Sequence, residues 1–242
     1  MPRSLPLAIA LFGCCYSLSA ADLQQIRSLN QDLRNALSRR ESPAAQVLTR
    51  RADLLRTAIR ENPASARTLL LEPEERAREH GVPILGFVTG WGCASDAYHP
   101  TAPHPRGDGA VAAMQSALAD AGLRPSDVDY VNAHGTATPA NDVSEGLALE
   151  RVFGDDCPLT SSTKGLTGHT LGAAGAIETV LSLISLSSGF VPATAGLEEP
   201  DPEIRIRHVP SGGLARPLSV VVSNSFGFGG NNTALVLSRA SA

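Results

Sequence analysis

Leu159-Thr160-Ser161-Ser162-Thr163-Lys164-Gly165-Leu166-Thr167-Gly168-His169-Thr170-Leu171-Gly172-Ala173-Ala174-Gly175 decides how this chain is read. It opens as a short strand, Leu159 to Thr163, and crosses a glycine-rich turn. It then enters an apolar helix, Gly168 to Ser187, whose small-residue start predicts burial. Lys164 is the only lysine in the chain, and every other strongly basic side chain is an arginine. Arginine is a planar fork that keeps its proton, whereas lysine is a compact point donor. A lone lysine is usually a solvated loop residue. Here its neighbours are glycines, alanines and threonines, which let backbone and substrate come close.

Working outward, strand and helix signals alternate from Pro83 onward. Strands are expected at Ile84–Trp91, Val128–Ala133, Ile204–Val209, Leu218–Asn224 and Thr233–Leu237. Helices are expected at Gly107–Gly122 and Asn141–Phe153. This alternation predicts right-handed βαβ units in an α/β fold, with a mostly parallel sheet and helices on both faces. Two more segments fall at strand ends, where open α/β sheets bind ligands. They are Asn132-Ala133-His134-Gly135-Thr136-Ala137-Thr138-Pro139 and Asn224-Ser225-Phe226-Gly227-Phe228-Gly229-Gly230-Asn231-Asn232.

Residues 22–80 read as a short helical segment. Leu23, Ile26, Leu33 and Leu37 share one face, and Ser42-Pro43 starts a second helix. Its mixed arginines and acids describe a solvated helical hairpin without a catalytic constellation. Residues 1–20 pair Arg3 with the apolar stretch Leu5–Leu18 and a small-residue end, the pattern of a secretory signal peptide. Of four cysteines, Cys14 and Cys15 lie in that segment. Cys93 and Cys157 remain, without disulfide or metal-ligand spacing, so no metal site is expected. A net charge of -4 and few aromatics exclude nucleic acid as the main partner.

Together the three strand-end segments resemble the β-ketoacyl-acyl-carrier-protein synthases, condensing enzymes of fatty acid and polyketide synthesis with a thiolase-like fold. Ser95-Asp96-Ala97-Tyr98-His99 and Asp142-Val143-Ser144-Glu145 extend the resemblance, which runs from about Ile84 to Leu237. It implies that His134 and His169 are the catalytic histidine pair, stabilising the enolate left when a malonyl thioester loses carbon dioxide. It implies that Lys164 pairs with Glu178 to organise charge in the site. Thr136 and Thr138 would bind the phosphopantetheine arm of an acyl carrier protein, with no other cofactor bound. Phe228 would be a gating phenylalanine, on a mobile loop that includes Phe226, Gly227, Gly229 and Gly230.

The resemblance covers only the second of the family's two similar halves, here residues 83–242. The acyl-accepting cysteine belongs to the first half, on a strand-to-helix elbow, and no such segment lies upstream of His134. Gly92-Cys93-Ala94-Ser95 follows the first strand of the second half, and Cys157 sits beside Asp155 and Asp156, whose charge opposes thiolate. Neither is taken as nucleophile. The expected function is therefore β-ketoacyl synthase-like, incomplete by itself, with acyl carrier protein and a second synthase chain, like or unlike, as partners. The alternatives are a non-catalytic synthase-like partner and an exported helical protein fused to a truncated synthase. Export by residues 1–20 and a carrier-bound cytoplasmic substrate are in conflict.

Overall fold

The computed structural model describes residues 7–12, 68–79, 81 and 83–240. The chain divides into two compact units, residues 9–84 and residues 1–8 with 85–242. Of residues 9–84, the described elements are strand β2, Thr68–Pro73, and helix α1, Glu74–Glu79; strand β1 is Leu7–Phe12. β2 corrects the expected helix across 22–80 at its C-terminal end. Leu69-Leu70-Leu71 is a short continuous apolar run closed by Pro73, and periodicity alone does not separate a strand from a helix there. The expected helices between 22 and 67 lie outside the described residues, as does most of the signal-like segment.

The larger unit is built from strands β3 (Ile84–Ser95), β4 (Tyr130–Asn132), β5 (Leu159–Ser161), β6 (Phe190–Val191), β7 (Arg207–His208), β8 (Leu214–Ala215), β9 (Val220–Gly227) and β10 (Asn231–Arg239). Its helices are α2 (Asp108–Ala121), α3 (Pro139–Phe153), α4 (Lys164–Thr167) and α5 (Ala174–Ser188). The main sheet runs β3-β10-β9-β4-β5-β7, and β6 pairs with β8 separately. β9, β4, β5 and β7 are mutually parallel, whereas β10 is antiparallel to both β3 and β9. The sheet is therefore mixed, parallel from β9 through β7 as expected and antiparallel where β10 joins β3 and β9. Only three residues, Phe228-Gly229-Gly230, join β9 to β10, which is hairpin length and too short for a parallel crossover. Gly229 and Gly230 take φ of 82° and 72° there, a conformation glycine adopts without a Cβ penalty.

Side-chain alternation assigns the two faces. Val220, Val222, Ala234 and Val236 join one apolar cluster with Val111, Met114 and Leu118 of α2 and Leu149 and Val152 of α3. Close approach of α2 is permitted by Gly90 and Gly92, where an added Cβ would meet Ala117 and Ala113 backbone oxygens at 2.4 and 2.2 Å. The opposite face carries α5, and Asn132 on β4 donates to the Glu178 carbonyl and to Ser182 Oγ. α2 runs between two left-handed glycines, Gly107 and Gly122, inside the expected bounds.

The apolar helix expected at Gly168–Ser187 is two shorter elements, with α4 lying just before it. α4 begins at Lys164, a single turn spans Leu171–Ala173, and α5 starts only at Ala174. Its expected burial holds on one face. Its buried positions include Glu178, Ser182 and Ser185, while Ile184 is 53% exposed. Leu171–Ser188 is long and apolar enough by composition to cross a membrane. The buried Glu178 and the hydrogen bonds from Asn132 tie this helix to the sheet instead.

Candidate active site

The parallel strands bring the three motifs to one edge. Asn132 is in register with Ser161 on β5 and Ser223 on β9, so the residues just beyond each strand end meet. His134 follows β4, Lys164 follows β5, and Phe226 lies near the end of β9. Gly135, at φ 37°, turns the chain sharply after His134, and an added Cβ would stand 2.5 Å from Ser162 Cβ. Ser162 Oγ donates to the Gly135 carbonyl at 2.9 Å and accepts from the Lys164 backbone N–H at 3.3 Å. One hydroxyl thus couples the histidine turn to the lysine turn.

Lys164 and Glu178 form a buried ion pair, with 5% and 2% of their side-chain surfaces exposed. Asn132 sets this up from β4. Its Nδ2 holds α5 at Glu178, and its Oδ1 accepts from Thr163 N–H and Oγ1 at 3.4 and 3.3 Å. Burial pushes the Glu178 carboxyl above its ordinary range, and Lys164 opposes that shift. Glu178 Oε2 has no hydrogen-bond partner among the described residues.

The rings of His134 and His169 stand edge to face, with centroids 5.4 Å apart. Phe226 also packs against His134, with ring centroids 5.6 Å apart. Burial, Lys164 and His169 together lower the His134 pKa to about 3, so its imidazole is neutral at physiological pH. His134 Nδ1 is buried and unpartnered. His169 is exposed, and its Nδ1 accepts the Leu171 backbone N–H at 3.2 Å. That bond leaves the His169 proton on Nε2. A cavity of about 350 Å³ lies over the pair, lined also by Gly175, Ser225, Phe226 and Leu235. A second, of about 460 Å³, is lined by Lys164, His169, Ser162, Thr136 and His208.

Four of the expected residues, His134, His169, Lys164 and Glu178, therefore converge. Thr136 and Thr138 bond to each other through their hydroxyls at 2.9 Å, on the exposed start of α3. Phe228 is 80% exposed at the tip of the β9–β10 turn. That turn is anchored by Asp96 N–H to the Gly230 carbonyl, Gly229 N–H to the Pro100 carbonyl, and Asn232 Nδ2 to Asp96 Oδ1. Cys93 is exposed on β3 and touches Thr233 Oγ1 at 3.4 Å. Cys157 is buried, and burial raises its thiol pKa. Neither cysteine sits at the start of a helix, where a thiolate is favoured.

Sequence reading passed over the role of Glu145. Its carboxylate accepts the N–H groups of His134 and Gly135, both at 2.9 Å, and Asn224 Nδ2 at 3.1 Å. It holds the histidine turn from the second turn of α3 and joins it to β9. The available signal was an acid soon after the His-Gly-Thr turn, inside an otherwise apolar and small-residue helix face.

Comparison with known proteins agrees with this geometry. Residues 85–198 match the family model described as β-ketoacyl synthase, C-terminal domain. A 3-oxoacyl-[acyl-carrier-protein] synthase 2 of Coxiella burnetii is 44% identical over 176 residues, 72% of this chain and 42% of the relative. Its counterpart from Synechocystis is 46% identical over 173 residues, 71% of this chain and 42% of the relative. The chain thus spans less than half the length of these relatives. Among solved structures, the ishigamide ketosynthase/chain length factor superposes with a TM-score of 0.69 at 37% identity, covering 73% of this chain and 43% of that one. A type II polyketide synthase ketosynthase, solved with its acyl carrier protein, gives 0.69 at 31% identity, covering 74% and 44%. In sequence, in strand order and in the convergence of its three motifs, this chain belongs to the β-ketoacyl synthase family, of which it carries the C-terminal domain.

Proposed function

We propose that this chain supplies the decarboxylating side of a β-ketoacyl synthase site. The observation that carries the reading is the facing histidine pair over a cavity. His134 is held neutral by burial, and His169 is held with its proton on Nε2. A malonyl thioester placed there would direct its carbonyl oxygen at the imidazole N–H donors. The bond from C2 to the carboxylate breaks, carbon dioxide leaves, and the electron pair passes through C2 to that oxygen as an enolate. The two N–H groups stabilise the new charge as it forms. The Lys164–Glu178 pair fixes the floor of the site, and the Lys164 charge favours an anion nearby.

In this reading the thioester arrives on the phosphopantetheine arm of an acyl carrier protein, passing Thr136 and Thr138 at the rim. Phe228, exposed on a glycine-flanked turn, gates the entry. The carbon nucleophile must meet an acyl thioester held on a cysteine. Neither Cys93 nor Cys157 stands in a setting that favours thiolate, so that cysteine comes from outside residues 83–242. Pairing with a second synthase chain is supported by the solved ketosynthase/chain length factor pair. A carrier-borne substrate favours a cytoplasmic location over the export that residues 1–20 resemble, and the family match begins at residue 85.

Decarboxylation of malonyl-acyl carrier protein by the purified chain tests the proposal, since that step does not need the acylated cysteine. His134→Ala and His169→Ala are each expected to lower the rate by about a hundredfold. Unchanged decarboxylation in both variants would overturn it. Condensation by this chain alone, abolished in Cys93→Ala, would overturn the assignment of the nucleophile.

A further inference from the structure

The Nδ1 of His134 is buried without a hydrogen-bond partner, and its ring is held by packing against His169 and Phe226. Where the ring stands is therefore decided by the backbone that carries it. Glu145 holds two N–H groups of that backbone, on His134 and Gly135. Those bonds tie the turn to α3. They do not set its distance from His169, which belongs to a different segment, beyond β5.

The sheet bonding between the two segments ends with the Ala133 N–H donating to the Ser161 carbonyl at 2.9 Å. Past that point, among the described residues, one hydrogen bond connects residues 134–138 with 162–169. It is the Ser162 Oγ donating to the Gly135 carbonyl at 2.9 Å. The same oxygen accepts the Lys164 N–H at 3.3 Å. Lys164 opens α4, and its carbonyl accepts the Gly168 N–H at 2.8 Å, one residue before His169. Ser162 is itself anchored, its N–H donating to Thr194 Oγ1 at 3.0 Å. Only 6% of its surface is exposed, so water has little room to replace the hydroxyl.

We propose that Ser162 is a positioning residue for the histidine pair, its hydroxyl setting the distance between the His134 turn and the turn that leads to His169. The consequence for rate rests on the decarboxylation reading above, whereas the consequence for ring geometry does not. Two donors aimed at one developing oxyanion are sensitive to such spacing, since a misplacement of about 1 Å costs up to roughly a hundredfold in rate. Ser161 supplies the contrast. It is as deeply buried, and its Oγ donates to the Pro192 carbonyl at 2.6 Å and pairs with the Tyr130 hydroxyl at 2.8 Å. Its hydroxyl bonds to neither turn, so its loss weakens the fold without freeing the pair.

The test compares Ser162→Ala with Ser161→Ala in the full chain. It reads the NOEs among the His134, His169 and Phe226 rings by NMR, the thermal midpoint, and kcat and KM for decarboxylation of malonyl-acyl carrier protein. Both variants lose a buried hydroxyl and are expected to unfold at a lower temperature. Only Ser162→Ala is expected to weaken the His134–His169 NOEs and to lower kcat, by about tenfold, with KM within about twofold of wild type. Ser162→Cys keeps a weak donor in the same place and is expected to fall between, and it replaces Ser162→Ala if that variant does not fold. Wild-type NOEs and kcat in Ser162→Ala overturn the proposal. Equal losses of kcat in the Ser161 and Ser162 variants also overturn it, since that is the mark of a purely structural role. If the NOEs change as expected but the wild-type chain shows no decarboxylation, the positioning role stands and the functional reading falls.

Discussion

Replacing Lys164 by Met would leave Glu178 buried with no counter-charge. Its Oε1 would lose the ammonium, its Oε2 is already unpartnered, and the side chain is 2% exposed. Removing one partner of a buried pair costs about 3–5 kcal/mol. The alternative open to the protein is to protonate Glu178. Its ordinary pKa is 4.5, so holding it neutral at pH 7 costs about 3.4 kcal/mol at about 1.36 kcal/mol per pH unit. Both routes give a deficit of roughly 3 kcal/mol at pH 7. The two differ in pH dependence. A carboxyl whose folded pKa is raised binds more protons folded than unfolded, so its stability is fully present below 4.5 and is lost as pH rises toward the folded pKa. The deficit of Lys164→Met should therefore fall below about 1 kcal/mol near pH 5 and grow through neutrality. Urea unfolding of both chains at several pH values between 5 and 8 measures it. Adding Glu178→Leu should recover most of the stability, since an apolar pair of similar volume replaces a buried ion pair at little cost. A deficit of the same size at pH 5 and pH 8 would refute the reasoning, because it would mean that Glu178 is not the uncompensated group.

Two further outcomes follow from the histidine turn. The His134 pKa is lowered from 6.5 to about 3, so its ring should not titrate between pH 8 and pH 5 in an NMR titration. A base with a lowered folded pKa contributes stability above 6.5 that is lost as pH falls, so His134→Asn should flatten the acid limb of the stability curve by up to about 1.36 kcal/mol per unit. A midpoint near 6.5 for that ring would contradict the burial argument. Gly135→Ala should cost roughly 2–5 kcal/mol, from left-handed strain plus overpacking against Ser162. Thermal unfolding checks it, and a neutral result would mean that the Gly135 turn relaxes freely.

The parts of this site that were legible in the sequence are those fixed by backbone rules. His134 and Lys164 each follow a strand and Phe226 lies near the end of one, and parallel strands in register bring such positions together without further information. Glycines 107 and 122 bounded α2 because both end positions take left-handed φ. What was missed depends on tertiary partners. The single turn of α4 at Lys164 contains no periodicity long enough to read. The strand at Thr68–Pro73 and the expected helix end there share one apolar run. Glu145 stands out in the sequence only as part of the Asp142–Glu145 segment, and its role appears once its backbone partners, His134 and Gly135, are seen. The antiparallel β10 followed from a three-residue connection, a signal that was present in the sequence and outweighed by the alternating pattern before it.

α5 shows how one misreading connects fold to function. Its composition is that of a buried helix, which is why burial was expected. The folded chain buries Glu178, Ser182 and Ser185 and leaves Ile184 half exposed. The inward face sets polar Glu178 and Ser182 beside apolar Leu183 and Leu186, and the two polar side chains meet Lys164 and Asn132 at the ends of β5 and β4. An inward leucine at 178 would leave the Lys164 charge buried and unpaired. Outward, Ile184 of α5 and Leu171 of the preceding turn are 53% and 78% exposed. Hydrophobic side chains exposed beside a catalytic cavity are what an interface requires. The cysteine that the proposed reaction needs and that the cavity lacks would reach His134 and His169 across this same surface. The polar positions of α5 thus follow from the ion pair it satisfies inward, and its exposed apolar positions are where the proposed second chain would dock.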